Sequence, residues 1–338
     1  MPVFGGHDGL DIREQEPFGN HTISGVAAPD KDLKSYEYNT IKRAIDMVRD
    51  AEAVDMNLLS VPGITDSSLN NHIVDICEER GDALAIIDLD GGYTPATETS
   101  DDYENRLGNV TNTVNNFLDT KINSSYGAAY YPWCQIFDGQ NGTEVIVPPS
   151  VIAMGAISRS EASSFLWFAP AGFNRGGLSN GEAGYPVTNT VEKLTSKERD
   201  KLYAANVNPI ASFPSEGIVI FGQKTLQLKQ SALDRINVRR LLIFVKKEIS
   251  RMANSILFDP NVRVTWNRFI SKVDPFLRGI KSNFGLVDFK VVLDETTTTP
   301  DLIDRNVLYA KVFLKPTKAI EFIAIDFLVT GQGASFDD

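Results

Sequence analysis

The first quarter of the chain alternates short aliphatic runs with amphipathic stretches. In the amphipathic stretches, apolar side chains recur three and four positions apart, which is typical of helices with one buried face. The pattern predicts strands at 57–61 and 83–88 and helices over 36–53 and 67–81. Asp66 or Ser67 is suited to cap the second helix, and Gly81 to end it. A strand, a helix and a strand joined by short connections form a βαβ unit, so we predict a parallel sheet.

The middle of the chain continues with alternating helices and strands. The pattern predicts helices over 101–118, 148–161 and 196–205 and strands at 128–137, 143–147 and 218–221. Residues 138–142 form a turn sequence, so the strands on either side of it are expected to pair as a hairpin. Residues 171–191 are rich in glycine and are predicted to form a loop.

The last third of the chain is organised differently. A long amphipathic helix is predicted over 234–258, with its arginines and lysines mostly off the apolar face, among them Arg239. A second helix over 262–284 is expected to be kinked or interrupted at Pro275. Strands follow at 287–293, 308–315 and 319–330. We therefore predict an α/β domain over 1–215 and an α+β domain over 216–338.

The predicted strand at 319–330 is apolar on both of its alternating faces. Such a strand is expected to be covered on both sides, unlike a strand at a solvated edge. It can pair within its own sheet or with the sheet of a neighbouring subunit, and the pattern leaves both alternatives open.

Charge is distributed unevenly along the chain. The net charge is −11, but residues 224–282 hold 13 Lys or Arg against 4 Asp or Glu, a surplus of 13 − 4 = 9. The rest of the chain therefore carries −11 − 9 = −20. A basic helical region on an acidic body favours an acidic partner, although a solvated helix face has the same pattern. Nucleic acid is not favoured, because no stacking-aromatic or Gly-rich motif surrounds these residues.

Candidate catalytic and ligand-binding residues are few. Asp88 and Asp90 form an Asp-x-Asp pair at a strand end, as in Asp-dependent phosphatases, but Gly92 and Tyr93 depart from that pattern. The chain has 3 His and 2 Cys, none at metal-ligand spacing, so we expect neither a metal nor a cofactor. Neither a membrane-spanning run nor a secretory signal is found in the sequence, and no membrane partner is expected.

Several segments resemble the contractile tail sheath proteins of bacteriophages. The strongest is Phe221-Gly-Gln-Lys-Thr-Leu-Gln227, followed by Ser231-Ala-Leu-Asp-Arg-Ile-Asn-Val-Arg-Arg240. The others, in the order of that family, are Pro148-Pro-Ser150, Phe168-Ala-Pro-Ala-Gly172, Asn208-Pro-Ile-Ala-Ser-Phe-Pro214 and Ile320-Glu-Phe-Ile-Ala-Ile-Asp-Phe-Leu-Val-Thr-Gly331. The chain is therefore similar to the core and C-terminal portion of a myovirus-type sheath subunit.

The resemblance implies a structural subunit of a virion tail and not an enzyme. Sheath subunits assemble as stacked hexameric rings around a tail tube, and their contraction drives the tube through the host envelope. The implied partners are other copies of the chain, the tail tube protein, and the baseplate and tail terminator proteins, met in the host cytoplasm during assembly. The α/β domain is expected to have a subtilisin-like topology without its catalytic residues.

The resemblance also implies two contact regions. Neighbouring subunits of the family add strands to one another's C-terminal sheet, so the expected inter-subunit strand includes Ile320, Phe322, Ile323, Ile325, Phe327 and Val329. The second helix of the C-terminal part is expected to face an acidic tube surface through Arg268, Lys272, Arg278 and Lys281.

Two alternatives stay open at this point. The sheath of a related contractile injection system, pyocin-like or of type VI secretion, has the same features. The other alternative is an Asp-dependent phosphatase that uses Asp88 and Asp90. Family members also begin with an N-terminal arm that is not found ahead of Gly5. A truncated chain, a proteolytic core or a split gene would each leave half of the strand exchange to be supplied by another chain.

Overall fold

The computed structural model describes residues 20, 23, 25–27, 30–95, 101–140, 142–181 and 183–321. The helices of this part are α1 (Lys31–Lys34), α2 (Tyr36–Asp46), α3 (Ser67–Arg80), α4 (Val110–Thr120), α5 (Pro149–Ser163), α6 (Ser196–Ala204), α7 (Ile236–Asn254), α8 (Arg263–Ser282) and α9 (Pro300–Asp304). The strands are β1 (Leu58–Leu59), β2 (Leu84–Ile87), β3 (Gly127–Tyr131), β4 (Cys134–Asp138), β5 (Thr143–Val147), β6 (Val187–Thr190), β7 (Val207–Phe213), β8 (Gly217–Ile220), β9 (Leu286–Val292) and β10 (Lys311–Pro316). Short 3₁₀ turns lie at Tyr103–Arg106 and Ala232–Asp234.

A five-stranded sheet in the order β1-β2-β3-β7-β8 forms the centre of the α/β body. Its first four strands are parallel, and β8 is antiparallel to β7. The predicted βαβ unit is confirmed, because α3 connects the parallel pair β1 and β2. Asp66 caps α3 by accepting hydrogen bonds from the Ser68 and Leu69 backbone N–H groups, and Gly81 ends it in the left-handed conformation.

Both faces of this sheet are covered, as a parallel sheet requires. Successive residues of β2 point to opposite faces, so Ala85 and Ile87 pack in one core cluster and Leu84 and Ile86 in another. Helices α2, α3 and α4 supply the first cluster, and α5 together with the start of α7 supplies the second. The four consecutive buried residues of β2 explain why its sequence is aliphatic without alternation.

A second sheet, of three antiparallel strands in the order β5-β4-β6, adjoins the body. The hairpin predicted from the turn at 138–142 is confirmed, since β4 pairs with β5 from Cys134 opposite Val147 to Asp138 opposite Thr143. The prediction of one strand over 128–137 was wrong. Residues 127–131 belong to the central sheet and 134–138 to the second sheet, so the chain changes sheets at Pro132 and Trp133.

Two further predictions for the middle of the chain were wrong in part, and one strand was not predicted. The helix over 101–118 is a 3₁₀ turn followed by α4, because Gly108 adopts a φ of 72° and a Cβ there would collide with the Gly91 and Gly92 carbonyls. The loop over 171–191 ends in β6, which pairs with β4. Strand β7 was not predicted, since Pro209 interrupts an otherwise apolar run.

The C-terminal part consists of α7, α8 and the antiparallel pair β9 and β10. Helix α8 is continuous through Pro275, so the predicted interruption is absent from this described helix. Its buried stripe packs against the inner face of the two strands and contains Trp266, Phe269, Val273, Leu277 and Ile280. Helix α7 contributes Ile243 to the core of the body and Val245 to the core of the C-terminal part, and therefore joins the two.

The predicted position of the basic residues on α7 was wrong for Arg239. The Arg239 guanidinium lies 4.0 Å from the centroid of the Tyr126 ring and donates a hydrogen bond to Ser125, and the side chain is buried. Arg240 is buried too and pairs with Glu161 at 2.5 Å. Because these two cations point into the protein, the basic stretch exposes less positive charge than its sequence suggests.

Candidate assembly surfaces

The sheet of β9 and β10 has one buried and one exposed face. Along β10, Val312 and Leu314 pack against the C-terminal core, whereas Lys311, Phe313 and Lys315 are exposed. Phe313 stands opposite Lys290 of β9, and Lys315 opposite Asp288. Within the described residues each strand pairs only with the other, so both strands have an outer edge with free backbone groups.

The chain approaches the predicted inter-subunit strand through a fixed residue, Glu321. The Arg235 side chain donates to both Glu321 carboxylate oxygens, from Nε at 2.5 Å and from Nη2 at 2.8 Å. Gln223 Nε2 donates to the same carboxylate at 3.3 Å. Ile320 is 84% exposed, and Phe322, Ile323, Ile325, Phe327 and Val329 lie outside the described residues. Gln223 and Arg235 belong to the strongest motif of the resemblance. This motif therefore fixes the position of Glu321, which lies near the start of the predicted inter-subunit strand.

The structure brings together two of the sequence motifs, 208–214 and 221–227. The Asn208 side chain is fully buried and donates to the Ala129 carbonyl at 3.0 Å and to the Lys224 carbonyl at 2.8 Å. It also accepts from the Lys224 backbone N–H at 2.6 Å. A Cβ at Gly222 would lie 2.9 Å from Oδ1, the side-chain oxygen of Asn208, so this close contact requires glycine. These motif residues connect β3 and β7 to the segment that leads into α7.

The four basic residues predicted to face a tube lie on the solvent side of α8, opposite its buried stripe. Each of them has a partner within the chain. Arg268 pairs with Asp259 at 2.7 Å, Arg278 with Asp274 at 2.7 Å and Lys281 with Asp288 at 2.8 Å. Lys272 donates to the Ser255 hydroxyl at 2.8 Å. The surface therefore carries four cations and three carboxylates, a net charge of 4 − 3 = +1.

Asp88 occupies a structural position at the carboxyl end of β2. Its carboxylate accepts hydrogen bonds from the Gly63 backbone N–H at 2.9 Å and from the Ser150 N–H and hydroxyl at 3.0 and 2.7 Å. Burial raises the pKa of Asp88 to about 6 against the opposing effect of these donors. Because both oxygens are engaged at the start of α5, Asp88 is not available as a nucleophile.

The other candidate chemical groups are also engaged or enclosed. Asp90 accepts from the Gly91 N–H and from the Asn116 side chain. His72 contacts Asp46 at 2.9 Å, and His7 and His21 lie outside the described residues. Cys77 and Cys134 are buried free thiols, and burial raises the pKa of each to about 12. Among the described residues, no three metal-binding side chains cluster, and no helix combines the length and hydropathy needed to cross a membrane.

An exposed aromatic surface was missed by the sequence analysis. Phe173, Phe213 and Phe221 pack with ring centroids 5.1–5.8 Å apart, and the Arg199 guanidinium lies 4.8 Å from the Phe213 centroid. Phe221 and Arg199 border a groove of about 250 Å³ that Gln223 also lines. We call these four aromatic and basic residues and the adjoining groove the aromatic bowl. Phe213 ends β7 and Phe221 follows β8 of the same hairpin, whereas Phe173 comes from a remote segment, so no local pattern predicts the three rings together.

The family models of two phage tail sheath protein domains match the sequence of this chain. The model of the central domain matches residues 39–226, and that of the C-terminal domain matches residues 229–330. The tail sheath protein of Enterobacteria phage T4 is 30% identical over 327 residues, which cover 94% of this chain and 48% of that protein. The tail sheath protein of Vibrio phage KVP40 is 38% identical over 200 residues, which cover 59% of this chain and 29% of that protein. The chain thus spans at most about half of these relatives.

Solved structures of contractile sheaths have the same fold. The anti-feeding prophage helical sheath in its contracted state aligns with a TM-score of 0.65 and 20% identity, over 87% of this chain and 75% of that chain. The contracted sheath complex of the PVC extracellular contractile injection system aligns with a TM-score of 0.65 and 22% identity, over 84% and 74% of the two chains. The mixed α/β architecture is thus that of contractile sheath subunits, and the chain belongs to the phage tail sheath protein family.

Proposed function

We propose that the chain is a structural subunit of a contractile phage tail sheath, without catalytic residues or a cofactor. Its copies polymerise as stacked hexameric rings around the tail tube, and contraction of this polymer drives the tube through the host envelope. The other partners are baseplate and tail terminator proteins, and neither nucleic acid nor membrane is among them. Assembly takes place in the host cytoplasm, and the product is part of the virion. Family membership supports this role.

The observation that carries the proposal is the two-stranded sheet of β9 and β10. Among the described residues this sheet has two strands. A two-stranded sheet is marginal by itself, and its open edges can pair with strands of another chain. One of its faces is packed on α8, so the edges are held in a fixed position. We therefore assign the β9–β10 sheet as the acceptor of a strand from a neighbouring subunit.

The donor in this proposal is the segment 319–330, which contains Ile320, Phe322, Ile323, Ile325, Phe327 and Val329. Because the Arg235–Glu321 pair holds its start, the segment leaves every subunit from the same place. At about 0.5–1.5 kcal/mol net per hydrogen bond, a strand with roughly six bonds contributes several kcal/mol to each contact. Such a link between subunits can persist while the α/β bodies change their positions during contraction.

Two finer features belong to the same proposal. The α/β domain over 1–215 has a subtilisin-like topology, and the domain over 216–338 forms the inner layer of the sheath. The exposed side of α8, with Arg268, Lys272, Arg278 and Lys281, faces the tube. Its net charge of +1 suits a weak contact that salt screens and that contraction can break.

Electron microscopy of the full chain tests the strand exchange. We expect the wild-type chain to form multi-subunit particles, on its own or with an added N-terminal arm of a family member. Ile325→Pro is expected to prevent this, because proline removes a backbone donor from the middle of the exchanged strand. Gln332→Pro lies beyond the segment and serves as the control. Wild-type protein that stays monomeric with the arm present, or an Ile325→Pro variant that assembles normally, would count against strand exchange.

A related contractile injection system is the second candidate function. The favouring observation is the shared fold with the sheaths of the anti-feeding prophage and PVC systems, whereas the relatives with higher identity are phage proteins. Neighbouring genes decide between them. Capsid and terminase genes beside the coding sequence indicate a phage, and their absence from a complete cluster indicates an injection device.

A further inference from the structure

One phenylalanine projects fully into solvent at the far end of α7. Phe258 is 104% exposed and has a φ of 67°, and the preceding Leu257 is 62% exposed. The left-handed conformation is unfavourable by roughly 1–2 kcal/mol for residues with a Cβ, and glycine or asparagine usually occupies it at the end of a helix. The exposed Phe258 side chain contributes nothing to the core, and its backbone conformation is unfavourable. This combination indicates that Phe258 is part of a contact surface.

The aromatic bowl is the second exposed apolar feature, and it also contains a charged side chain. Phe173 is 50% exposed and Phe221 42%. Arg199 makes no ion pair with any described residue, although Asp200 and the Arg235-bound Glu321 also line the groove. A guanidinium without such a pair in an exposed aromatic surface favours a partner that brings a carboxylate next to an apolar side chain.

The size of the groove limits what it can bind. Its volume of about 250 Å³ is below the range of roughly 300–1,000 Å³ that is usual for small-molecule sites. Its walls combine apolar side chains, Pro209 and Phe221 among them, with the charged side chains of Arg199, Asp200 and Glu321. One large apolar side chain with the backbone next to it fits these dimensions and this chemistry.

Phe258 and the aromatic bowl cannot meet within one chain. The bowl lies at the N-terminal end of α7, where the Ile236 N–H donates to the Gln223 carbonyl at 2.8 Å. Phe258 follows the C-terminal end of the same helix, whose 19 residues extend for about 28 Å. The rigid helix keeps the two features at opposite ends of the subunit.

We propose that Phe258 of one subunit inserts into the aromatic bowl of a second copy of this chain. Asp259, next to Phe258, then approaches Arg199. Since the two surfaces differ, the contact is head-to-tail, and repetition produces a ring or a helical filament. The inference rests on the proposed self-assembly and adds a contact that does not use the 319–330 segment.

The first test measures self-association of the full chain by sedimentation velocity. Phe258→Gly is expected to weaken association by about 10- to 100-fold, as loss of one central aromatic side chain does in many interfaces. Glycine accepts the left-handed backbone, so the variant should fold normally. Phe284→Gly is the matched control, since Phe284 is 74% exposed with a φ of 62° but lies after α8. Equal effects of the two variants, or no effect of Phe258→Gly, would overturn the proposal.

A mixing experiment tests the head-to-tail geometry. The Phe258→Gly chain keeps an intact bowl, and the Phe173→Ala chain keeps an intact Phe258. Each chain alone should therefore associate weakly. An equal mixture should associate more strongly, because Phe258 of the second chain can dock in the bowl of the first. Both chains carry Ile325→Pro as well, which silences strand exchange and keeps the two proposals separable. A mixture that associates no more tightly than its components contradicts the docking of Phe258 in the bowl.

Cross-linking identifies the partner directly. Cys77 and Cys134 are buried, so a bismaleimide reagent should react selectively with introduced cysteines. We expect a cross-linked dimer from Leu257→Cys chains mixed with Ser196→Cys chains, because Leu257 is exposed beside Phe258, Ser196 lines the groove, and Phe258 and the three bowl rings stay intact. Ser282→Cys chains mixed with Ser196→Cys chains should give none. If no dimer forms with Leu257→Cys, or if both pairs give the same yield, the proposal is wrong whatever the fate of strand exchange.

Discussion

At the residue scale, Asp88 shows how one group can resemble a catalytic residue and serve the fold. An aliphatic strand ending in Asp-x-Asp is the sequence pattern of a nucleophile. In the structure the carboxylate instead connects the 62–63 turn, β2 and the start of α5 through three hydrogen bonds. The structural role of Asp88 has a consequence for the pH dependence of the free energy of unfolding.

The raised pKa of Asp88 gives this residue a measurable effect on stability. The folded state binds the proton more tightly than the unfolded state, whose Asp pKa is about 3.9. The contribution of Asp88 to the free energy of unfolding should therefore rise as the pH falls from above 6 to about 4, by roughly 3 kcal/mol at most. Urea unfolding of the wild type and of Asp88→Asn, measured between these limits, isolates the effect from other carboxylates.

The direction in which the stability difference between the wild type and Asp88→Asn changes with pH tests this prediction. Asparagine does not titrate, so the wild type should gain stability relative to Asp88→Asn as the solution becomes more acidic. A difference that is constant with pH, or that moves in favour of Asp88→Asn at low pH, would contradict a buried carboxyl with a raised pKa. The family role predicts no turnover of phosphate esters by either protein.

At the element scale, the sequence predicted best the elements that local chemistry determines. Asp66 and Gly81 mark the ends of α3, and the turn between β4 and β5 defines their hairpin. Predictions were wrong where distant contacts decide. Arg239 turns inward because Tyr126 offers an aromatic face, and Gly108 ends a helical pattern because the chain at 91–92 lies against it. The aromatic bowl has the same origin, since its rings converge only in the folded chain.

The exposed side of α8 allows a prediction about electrostatic binding. If it faces an acidic tube, then Lys272→Gln should weaken binding to the tube protein, and Asp288→Asn should strengthen it, because they change the local net charge from +1 to 0 and to +2. Each effect is expected to be about two- to five-fold at low ionic strength and smaller in salt. The hydrogen bond from Lys281 lowers the pKa of Asp288, so this carboxyl is charged at neutral pH.

The opposite directions of the two changes make the α8 test specific. Binding of purified tube protein is measured for the wild type and both variants at two salt concentrations. Equal shifts of both variants in one direction would indicate a structural disturbance and not a charge contact. Unchanged binding of both variants at low salt would remove α8 from the tube interface.

At the scale of the whole molecule, α7 couples the parts that assembly uses. It enters the core of the α/β body at Ile236 and Ile243 and the C-terminal core at Leu241 and Val245. Arg235, just before its first turn, holds Glu321 at the start of the proposed exchange strand, and Phe258 follows its last turn. A displacement of the body is thus transmitted to both proposed contacts through one helix.

This arrangement predicts that stability depends on protein concentration. Association that involves only the folded state stabilises it by mass action, by about 2.7 kcal/mol when the partner is at 100 times its dissociation constant. The midpoint of thermal unfolding of the wild type should therefore rise with protein concentration. In Ile325→Pro the rise should be smaller, because only the Phe258 contact remains, and in Ile325→Pro combined with Phe258→Gly it should vanish. A wild-type midpoint that is independent of concentration would contradict both contacts, whereas a rise retained in the double variant would place the interface elsewhere on the subunit.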